Sequence, residues 1–408
     1  MDTLTKPISA PRRRTTADTV YPILLLVSVT HLLNDMMQSV IPAVYPLLKA
    51  KFGFSFAQIG LITLVFQMTS SILQPFVGRY ADRHPRPYSL AAGMCFTLAG
   101  LFALALAPGF APILLAVALI GWGSSIFHPE SSRVAQLASG GRKGLAQSIF
   151  QVGGNAGSAF GPLLAALVVI PYGQTSIMWF APAALLAIGI LLRIGNWYKR
   201  QLNAATAAPV TATAAAAELP RRKIRRALLI LTVLVFSKYF YIACMTNYFT
   251  FFLMDKFAFS VQDAQYSLFA FLAASAAGTV IGGPLGDRIG RKYVIWGSIL
   301  GAAPFALMLP YAGSGSAVAL AILVGLIISS AFSAILVYAT DLMPGKVGMI
   351  AGVFFGLMFG LGGLGSAFFG WLADRTSIEF IFRVSTLLPL LGIITGFLPN
   401  IELKRDEK

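Results

Sequence analysis

Gly78-Arg-Tyr-Ala-Asp-Arg-His-Pro-Arg86 and Gly283-Pro-Leu-Gly-Asp-Arg-Ile-Gly-Arg-Lys292 are two copies of one phrase, and they reveal how the chain is organised. In each copy an aspartate, Asp82 or Asp287, follows the glycine by four residues, and an arginine comes next. The second aspartate follows the first by about half of the 408-residue chain. An internal repeat of this length predicts two structurally equivalent halves.

The rest of the chain is apolar to a degree that indicates a membrane protein. Hydrophobic residues make up 57% of the sequence and charged residues 11%, whereas a soluble domain carries about a quarter charged residues. A membrane-spanning helix needs about 20 mainly apolar residues. Suitable stretches are 21–48, 56–79, 87–107, 110–138, 142–170, 175–197, 226–254, 264–286, 292–311, 316–342, 347–373 and 379–398. We therefore predict an all-α membrane protein with twelve transmembrane helices in two pseudo-symmetric six-helix bundles.

Polar segments divide this architecture into five parts. A polar tail over 1–20 precedes a first bundle over 21–197, and a second bundle over 226–398 precedes a tail over 399–408. The segment 198–225 between the bundles is rich in alanine and threonine and ends in a basic cluster. This composition predicts a flexible cytoplasmic linker.

Basic residues exceed acidic ones and sit in short clusters between the apolar stretches. The formal net charge is +16, from 31 Lys and Arg against 15 Asp and Glu. The clusters follow the even-numbered helices and occur in both tails, which predicts that both termini lie on the cytoplasmic side of a bacterial inner membrane. This pattern is typical of juxtamembrane loops, so the expected partner is the lipid bilayer and not nucleic acid.

The repeated phrase resembles the loop signature of the major facilitator superfamily, which lies between helices two and three and again between helices eight and nine. We predict a gating role, because the glycine allows close helix approach and the aspartate can pair with an arginine or with free N–H groups at a helix N-terminus. The alternative is a static loop whose charges serve only topology. The predicted gating residues are Gly78, Asp82, Arg83, Arg86, Gly283, Asp287, Arg288 and Arg291.

The copies of the phrase are not equivalent. The first copy has Pro85 and Pro87 where the superfamily usually has glycine and lysine. A third, partial copy, Gly370-Trp-Leu-Ala-Asp-Arg375, lies at the opposite face of the membrane. We interpret this copy as a chance match.

Ionisable residues inside apolar helices are candidates for function, because their burial in the membrane is costly. In the first helix His31, Asn34, Asp35 and Gln38 share one face. Asp35 lies roughly 21 Å along the helix, near the midplane, and could bind and release a proton or simply hydrogen-bond a neighbouring helix. Lys238 lies at a comparable depth in the seventh helix, and either Asp35 or a bound acidic solute could be its partner.

The fourth and fifth helices carry further polar residues. The fourth helix contains Ser124, His128, Glu130 and Arg133. Of these, His128 suits proton relay or anion binding. The three-residue spacing lets Glu130 pair with Arg133, either as part of a gate or as a permanent structural ion pair. In the fifth helix Gln147, Gln151 and Asn155 form a polar stripe. A glycine stripe in the same helix, Gly153, Gly157 and Gly161, is similar to part of an antiporter motif, with tight packing as the alternative.

Several function classes are disfavoured. No phosphate-binding P-loop is present, so ATP is not expected to drive transport. With three histidines and two cysteines, a metal site is improbable. We therefore expect no enzymatic activity, no catalytic residues and no cofactor apart from a coupling proton.

Four stretches carry a narrower resemblance. They are His31-Leu-Leu-Asn-Asp-Met36, Gly123-Ser-Ser-Ile-Phe-His-Pro-Glu-Ser-Ser-Arg133, Gln147-Ser-Ile-Phe-Gln-Val-Gly-Gly-Asn155 and Phe236-Ser-Lys-Tyr-Phe-Tyr241. Together with the layout of the chain they resemble the fosmidomycin-resistance family of drug exporters within the major facilitator superfamily. The resemblance implies a proton-coupled antiporter that exports a phosphonate antibiotic by alternating access, confers drug resistance and works as a monomer.

The polar residues fit such a small, strongly anionic substrate, because anion binding needs cations and hydrogen-bond donors. The predicted substrate-binding residues are His31, Asn34, Gln38, Ser124, His128, Arg133, Gln151, Asn155, Lys238 and Tyr241. Asp35 and Glu130 are the predicted proton-coupling residues. An importer or exchanger of organic anions such as sugar phosphates is the main alternative. A membrane receptor or scaffold and an integral-membrane enzyme are further alternatives.

Overall fold

The computed structural model describes residues 18–140, 143–205, 220–343 and 347–399, and these residues form helices joined by short connections. Within them, twelve helices are long and apolar enough to cross a membrane, which confirms the predicted fold class. They are α1 (Tyr21–Ala43, continued by Tyr45–Phe52), α2 (Phe56–Arg83), α3 (Ser89–Leu106), α4 (Phe110–Leu137), α5 (Lys143–Leu164, continued to Tyr172), α6 (Gln174–Phe180 and Ala181–Ala205), α7 (Arg221–Phe257), α8 (Val261–Ile289), α9 (Arg291–Met308, continued to Tyr311), α10 (Ser314–Ser329 and Ala331–Leu342), α11 (Val347–Arg375) and α12 (Ile378–Ser385 and Leu388–Phe397).

The helix packing repeats between the two halves. In the first half α1 packs on α5, α2 and α3 pack on α4, and α3 packs on α6; in the second half α7 packs on α11, α8 and α9 pack on α10, and α9 packs on α12. The halves meet where α2 packs on α11 and α5 packs on α8, two contacts that the same symmetry relates. This repetition matches the expectation from the duplicated phrase.

Two faces of the molecule follow from the twelve crossings. The described chain begins and ends on one face, here called the terminal face, because the number of crossings is even. The opposite face, here called the distal face, contains the start of α2 and the end of α11. The sequence predicts that the terminal face is cytoplasmic.

The linker is shorter than the predicted segment 198–225. Helix α6 continues to Ala205, and α7 already begins at Arg221. Residues such as Lys199, Arg200 and Leu202 favour helix strongly, so the polar character of this stretch does not end the helix. Residues 206–219 lie outside the described part of the chain.

Helix α1 is interrupted where the sequence predicted one continuous span. Its first segment ends at Ala43, and a short second segment begins at Tyr45. Pro42 and Pro46 flank the break, and each lacks the N–H that a continuous helix would use. Pro42 lies on the wall of the central cavity described below.

The glycine stripe of α5 packs against α1. A methyl group added at Gly153, Gly157 or Gly161 would overlap atoms of Ser28, Leu32 or Ser39, respectively. The hydroxyl of Ser28 also donates to the carbonyl of Ile149 at 2.7 Å. The stripe therefore lets the α1 and α5 backbones approach closely, as the packing alternative predicted.

Candidate functional site

A cavity of ≈ 280 Å³ lies between the two halves. Its walls come from α1, α2, α4 and α5 in the first half and from α7, α8, α10 and α11 in the second. Seven of the predicted site residues line it: His31, Asp35, Gln38, His128, Gln151, Asn155 and Lys238. The polar residues picked out inside apolar helices therefore converge on one space enclosed by both halves.

Three predicted substrate-binding residues lie behind this wall. Asn34 is fully buried and donates from Nδ2 to Oδ1 of Asp35 at 3.0 Å. Ser124 is also buried, with its hydroxyl 3.2 Å from Oε1 of Gln38 and 3.2 Å from Nδ1 of His128. Tyr241 is buried away from the cavity, and the adjacent lining position of α7 is taken by Tyr239. Asn34 and Ser124 therefore position cavity residues and do not face a ligand.

Asp35 lies between two imidazole rings. Its Oδ2 is 3.2 Å from Nε2 of His31, one turn earlier on α1, and its Oδ1 is 3.5 Å from Nε2 of His128 on α4. The His31 and His128 side chains are 4% and 6% exposed and that of Asp35 is 17% exposed, so the carboxylate is the member most open to the cavity. The sequence predicted the depth of Asp35 and that His31 shares its helix face, but not that His128 joins them in one cluster.

The far side of each ring is held by a backbone carbonyl. Nδ1 of His31 lies 2.8 Å from the carbonyl oxygen of Phe150, whose ring stacks on the imidazole, and Nδ1 of His128 lies 3.0 Å from that of Ser124. Because a carbonyl oxygen can only accept, we assign the Nδ1 proton to both rings. Nε2 of a neutral ring then offers Asp35 only a lone pair. Each contact with Asp35 is therefore favourable only when a proton lies between the two atoms.

The same cluster is a donor set that could hold a metal ion. The ligand atoms of His31, Asp35 and His128 lie within 4.8 Å of one another, and no other such group occurs among the described residues. The expectation that the chain binds no metal, which relied on its few histidines, stays a prediction.

Lys238 is a buried cation in the opposite wall. It is 2% exposed, and its Nζ lies 5.3 Å from the ring centre of Tyr239 and 5.7 Å from that of Phe332. In the described part of the chain no carboxylate oxygen lies within 4.0 Å of Nζ. The possible pairing with Asp35 is therefore not formed, and Asp35 contacts the two histidines instead.

Glu130 and Arg133 pair with each other outside the cavity wall. Oε1 of Glu130 is 3.8 Å from a guanidinium nitrogen of Arg133, and its Oε2 is 3.4 Å from the hydroxyl of Ser89. The Glu130 side chain is 2% exposed. Among the described residues this arrangement favours the structural ion pair over a substrate or proton site.

The predicted gating residues are only partly described. Helix α2 extends through the first copy to Arg83, and α8 ends at Ile289 within the second. The side chains of Asp82, Arg83 and Asp287, together with Gly283, lie outside the described residues. Of the remainder, a methyl group at Gly78 would touch Pro129 at 3.7 Å, and Arg86 and Arg288 are exposed. Arg291 forms an ion pair with Asp341 of α10, which joins two helices of one half on the terminal face.

Several cavity residues were missed by the sequence reasoning. They include Ser39 and Ser158 in the first half, Gln67 of α2, and Ser275 and Thr279 of α8. Thr63 and Gln67 are four residues apart, as are Ser275 and Thr279, a spacing that signals one polar helix face.

Comparisons with known proteins agree with the architecture. The family model described as Major Facilitator Superfamily matches residues 27–255 and 231–408. The chain is 57% identical over 396 residues to the fosmidomycin resistance protein of Escherichia coli (strain K12), covering 97% of each chain. It is 42% identical over 404 residues to the uncharacterized MFS-type transporter YfnC of Bacillus subtilis (strain 168), covering 98% of this chain and 99% of the relative.

A solved structure shares the fold. It is a bacterial homolog of the human lysosomal transporter Spinster in an inward-facing and occupied conformation, with a TM-score of 0.72 and 15% sequence identity. The match covers 93% of this chain and 96% of the other. At this identity the likeness concerns the fold alone.

Proposed function

The chain belongs to the major facilitator superfamily of membrane transporters, and from that premise we propose that it exports small phosphonate anions such as fosmidomycin in exchange for protons. It is a multi-pass membrane protein of a class that moves solutes and does not catalyse reactions. The proposed substrate is the drug in the name of the Escherichia coli relative. Export of this drug would confer resistance.

Lys238 is the observation that carries the proposal. A lysine buried in a membrane-spanning helix needs an anion or an acidic partner, and no described carboxylate lies within 4.0 Å of its ammonium group. A phosphonate would supply the missing charge. Nε2 of Gln38, which is buried without a hydrogen-bond partner in the described structure, is a further donor beside the same cavity.

The coupling proton is assigned to the cluster of His31, Asp35 and His128. The cluster lies in the cavity wall formed by α1 and α4, whereas Lys238 projects from α7 in the other half, so both halves contribute a charged group. Without a shared proton, the cluster combines an ionised carboxylate with two lone pairs at 3.2 and 3.5 Å. An uncompensated charge of this kind is costly inside the membrane, so we propose that the empty carrier reorients after the cluster takes up a proton.

The proposed setting is the bacterial inner membrane, with the terminal face in the cytoplasm. Basic residues are concentrated in the loops of that face, as the positive-inside rule requires. One chain supplies both halves of the cavity, which supports action as a monomer.

A second candidate is an organic-anion importer that carries protons in the same direction as its substrate. The protonated cluster has a more positive charge, and it would attract an anion into the cavity. This charge relationship favours joint movement of proton and anion, whereas the resemblance to a drug exporter favours exchange. The two candidates require opposite directions of the pH gradient.

The test is uptake of labelled fosmidomycin into inside-out membrane vesicles with an imposed pH gradient. Exchange predicts uptake when the vesicle interior is acidic, and joint movement predicts uptake when the exterior is acidic. Lys238→Gln should strongly reduce either uptake, whereas the same change at the exposed Lys199 should leave it intact. A folded parent protein that takes up no fosmidomycin in either gradient would refute the phosphonate assignment.

A further inference from the structure

The first turn of α2 has two backbone N–H groups that its own capping residues leave free. The hydroxyl of Ser55 accepts from the N–H of Gln58 at 3.1 Å, and Oε1 of Gln58 accepts from the N–H of Ser55 at 2.9 Å. This capping box satisfies two of the N-terminal groups. The N–H groups of Phe56 and Ala57 therefore need an acceptor from elsewhere.

Asp374 of the other half provides that acceptor. Its Oδ1 accepts from the N–H of Phe56 at 2.8 Å and its Oδ2 from the N–H of Ala57 at 2.7 Å. Both bonds are charge-assisted, and the carboxylate sits at the positive end of the α2 dipole. The adjacent Arg375 lies over the ring of Trp371, at 4.3 Å from its centre. A single side chain at the end of α11 therefore ties it to the start of α2 across the boundary between the halves.

The glycine one turn before Asp374 makes this geometry possible. A methyl group at Gly370 would overlap the backbone carbonyl of Phe56. A methyl group at Gly60 would likewise lie 2.6 Å from the carbonyl oxygen of Ser366. The two helices thus touch backbone to backbone, and only this approach brings the Asp374 carboxylate within reach of the α2 N-terminus.

Buried polar contacts continue the closure from Asp374 towards the cavity. The hydroxyl of Tyr248 on α7 donates to the carbonyl of Ser366 at 2.7 Å. Deeper still, the hydroxyl of Thr63 on α2 donates to Oδ1 of Asn247 on α7 at 2.8 Å, and both of these residues line the cavity. The contacts form successive layers between the distal face and the cavity.

We propose that Asp374 is a gating residue that holds the distal face closed. Opening the cavity to that face requires the ends of α2 and α11 to separate, and the two hydrogen bonds of Asp374 must then break. The third, partial copy of the repeated phrase is in this proposal a functional element. Its glycine allows close helix approach, and its aspartate binds the N-terminus of a helix in the other half. The proposal rests on the chain acting as an alternating-access transporter, whatever its substrate.

The test measures opening of the distal face directly and needs no substrate. Spin labels replace the exposed Tyr172 at the end of α5 and Tyr311 at the end of α9, in a background with Cys95 and Cys244 changed to alanine. Their distance is measured by double electron–electron resonance in lipid nanodiscs. Asp374→Ala should raise the ratio of the long-distance to the short-distance population about three- to tenfold, the size expected for loss of a helix cap.

Two further variants separate gating from a structural effect. Asp374→Glu keeps the carboxylate and should restore most of the parental distribution. Asp255→Ala removes another exposed acidic residue on the same face and should leave the distribution unchanged. An unchanged distribution in Asp374→Ala, with or without a lower unfolding temperature, would overturn the proposal. So would an equal shift in Asp255→Ala. Because the readout is a distance, failure of fosmidomycin transport would not affect this result.

Discussion

His31 and Asp35 lie one helical turn apart on α1, with Nε2 of the imidazole 3.2 Å from Oδ2 of the carboxylate. Nδ1 of the same ring already lies against the carbonyl of Phe150 at 2.8 Å, so the contact with Asp35 needs a proton of its own. Asp35→Asn should abolish the response of transport to a pH gradient and leave exchange of labelled for unlabelled substrate in place. The amide N–H can take the position of the shared proton permanently, but it cannot release it.

Asp255→Asn is the matched control for this change, because Asp255 is exposed at the end of α7. Its gradient response should equal that of the parent. If Asp35→Asn still responds to the pH gradient as the parent does, the coupling proton is carried by another group.

Lys238→Gln should weaken phosphonate binding by about tenfold or more. A hydrogen bond to a charged group contributes about 1.5–3 kcal/mol. Lys238 is buried and no described carboxylate lies within 4.0 Å of its Nζ, so its charge is available to the phosphonate. Binding can be followed by displacement of labelled fosmidomycin from purified protein. Lys199→Gln, at an exposed site on α6, should bind as the parent does. Equal affinities for the parent and Lys238→Gln would place the anion elsewhere in the cavity.

The fold could be predicted from the sequence, because the length of the apolar stretches and the placement of basic residues strongly constrain a membrane protein. It also identified most charged residues of the cavity, since an ionisable group within an apolar span is rare. It did not predict the rotation of each helix about its axis. That rotation decides that Tyr239 and not Tyr241 faces the cavity, and it depends on packing between helices that are distant in the chain.

Contacts between distant helices account for the other differences. Asp35 pairs with His128 of α4 and not with Lys238, an outcome that depends on how α1 packs on its neighbours. The role of Asp374 depends on two free N–H groups in α2, more than three hundred residues earlier in the chain. A single sequence does not show which distant residues are in contact, so the partner of Asp374 in the third, partial copy of the phrase could not be predicted.

Gly154→Ala should destabilise the protein and disturb the cluster. A methyl group at Gly154 would overlap the imidazole ring of His31, whose Nδ1 and Nε2 are already in contact with the Phe150 carbonyl and the Asp35 carboxylate. Overpacking of this kind costs about 1–3 kcal/mol. Thermal unfolding in detergent should therefore occur at a lower temperature, and transport should fall.

Gly189→Ala provides the control for that change within α6. A methyl group there meets no atom within 4 Å, and alanine favours helix over glycine by about 1 kcal/mol. Its unfolding temperature should equal or exceed that of the parent. Similar losses of stability in both variants would mean that any added methyl is harmful and that the His31 ring is not the cause.

Glu130→Gln should reduce stability without changing the response to a pH gradient. The Glu130 side chain is 2% exposed and pairs with Arg133 at 3.8 Å, and neither residue lines the cavity. Breaking a fully buried ion pair costs about 3–5 kcal/mol, but the Arg133 side chain is 24% exposed, so solvent reduces the loss to about 1–3 kcal/mol. Glu379→Gln makes the same chemical change at a more exposed carboxylate, which pairs with Arg383 and Lys256, and should cost about 1 kcal/mol or less. Unfolding temperatures and gradient-driven uptake, measured on the same preparations, distinguish the two possible roles of Glu130. Loss of the gradient response at full stability would make Glu130 the proton carrier, whereas loss of stability with the response intact leaves that role to the cluster around Asp35.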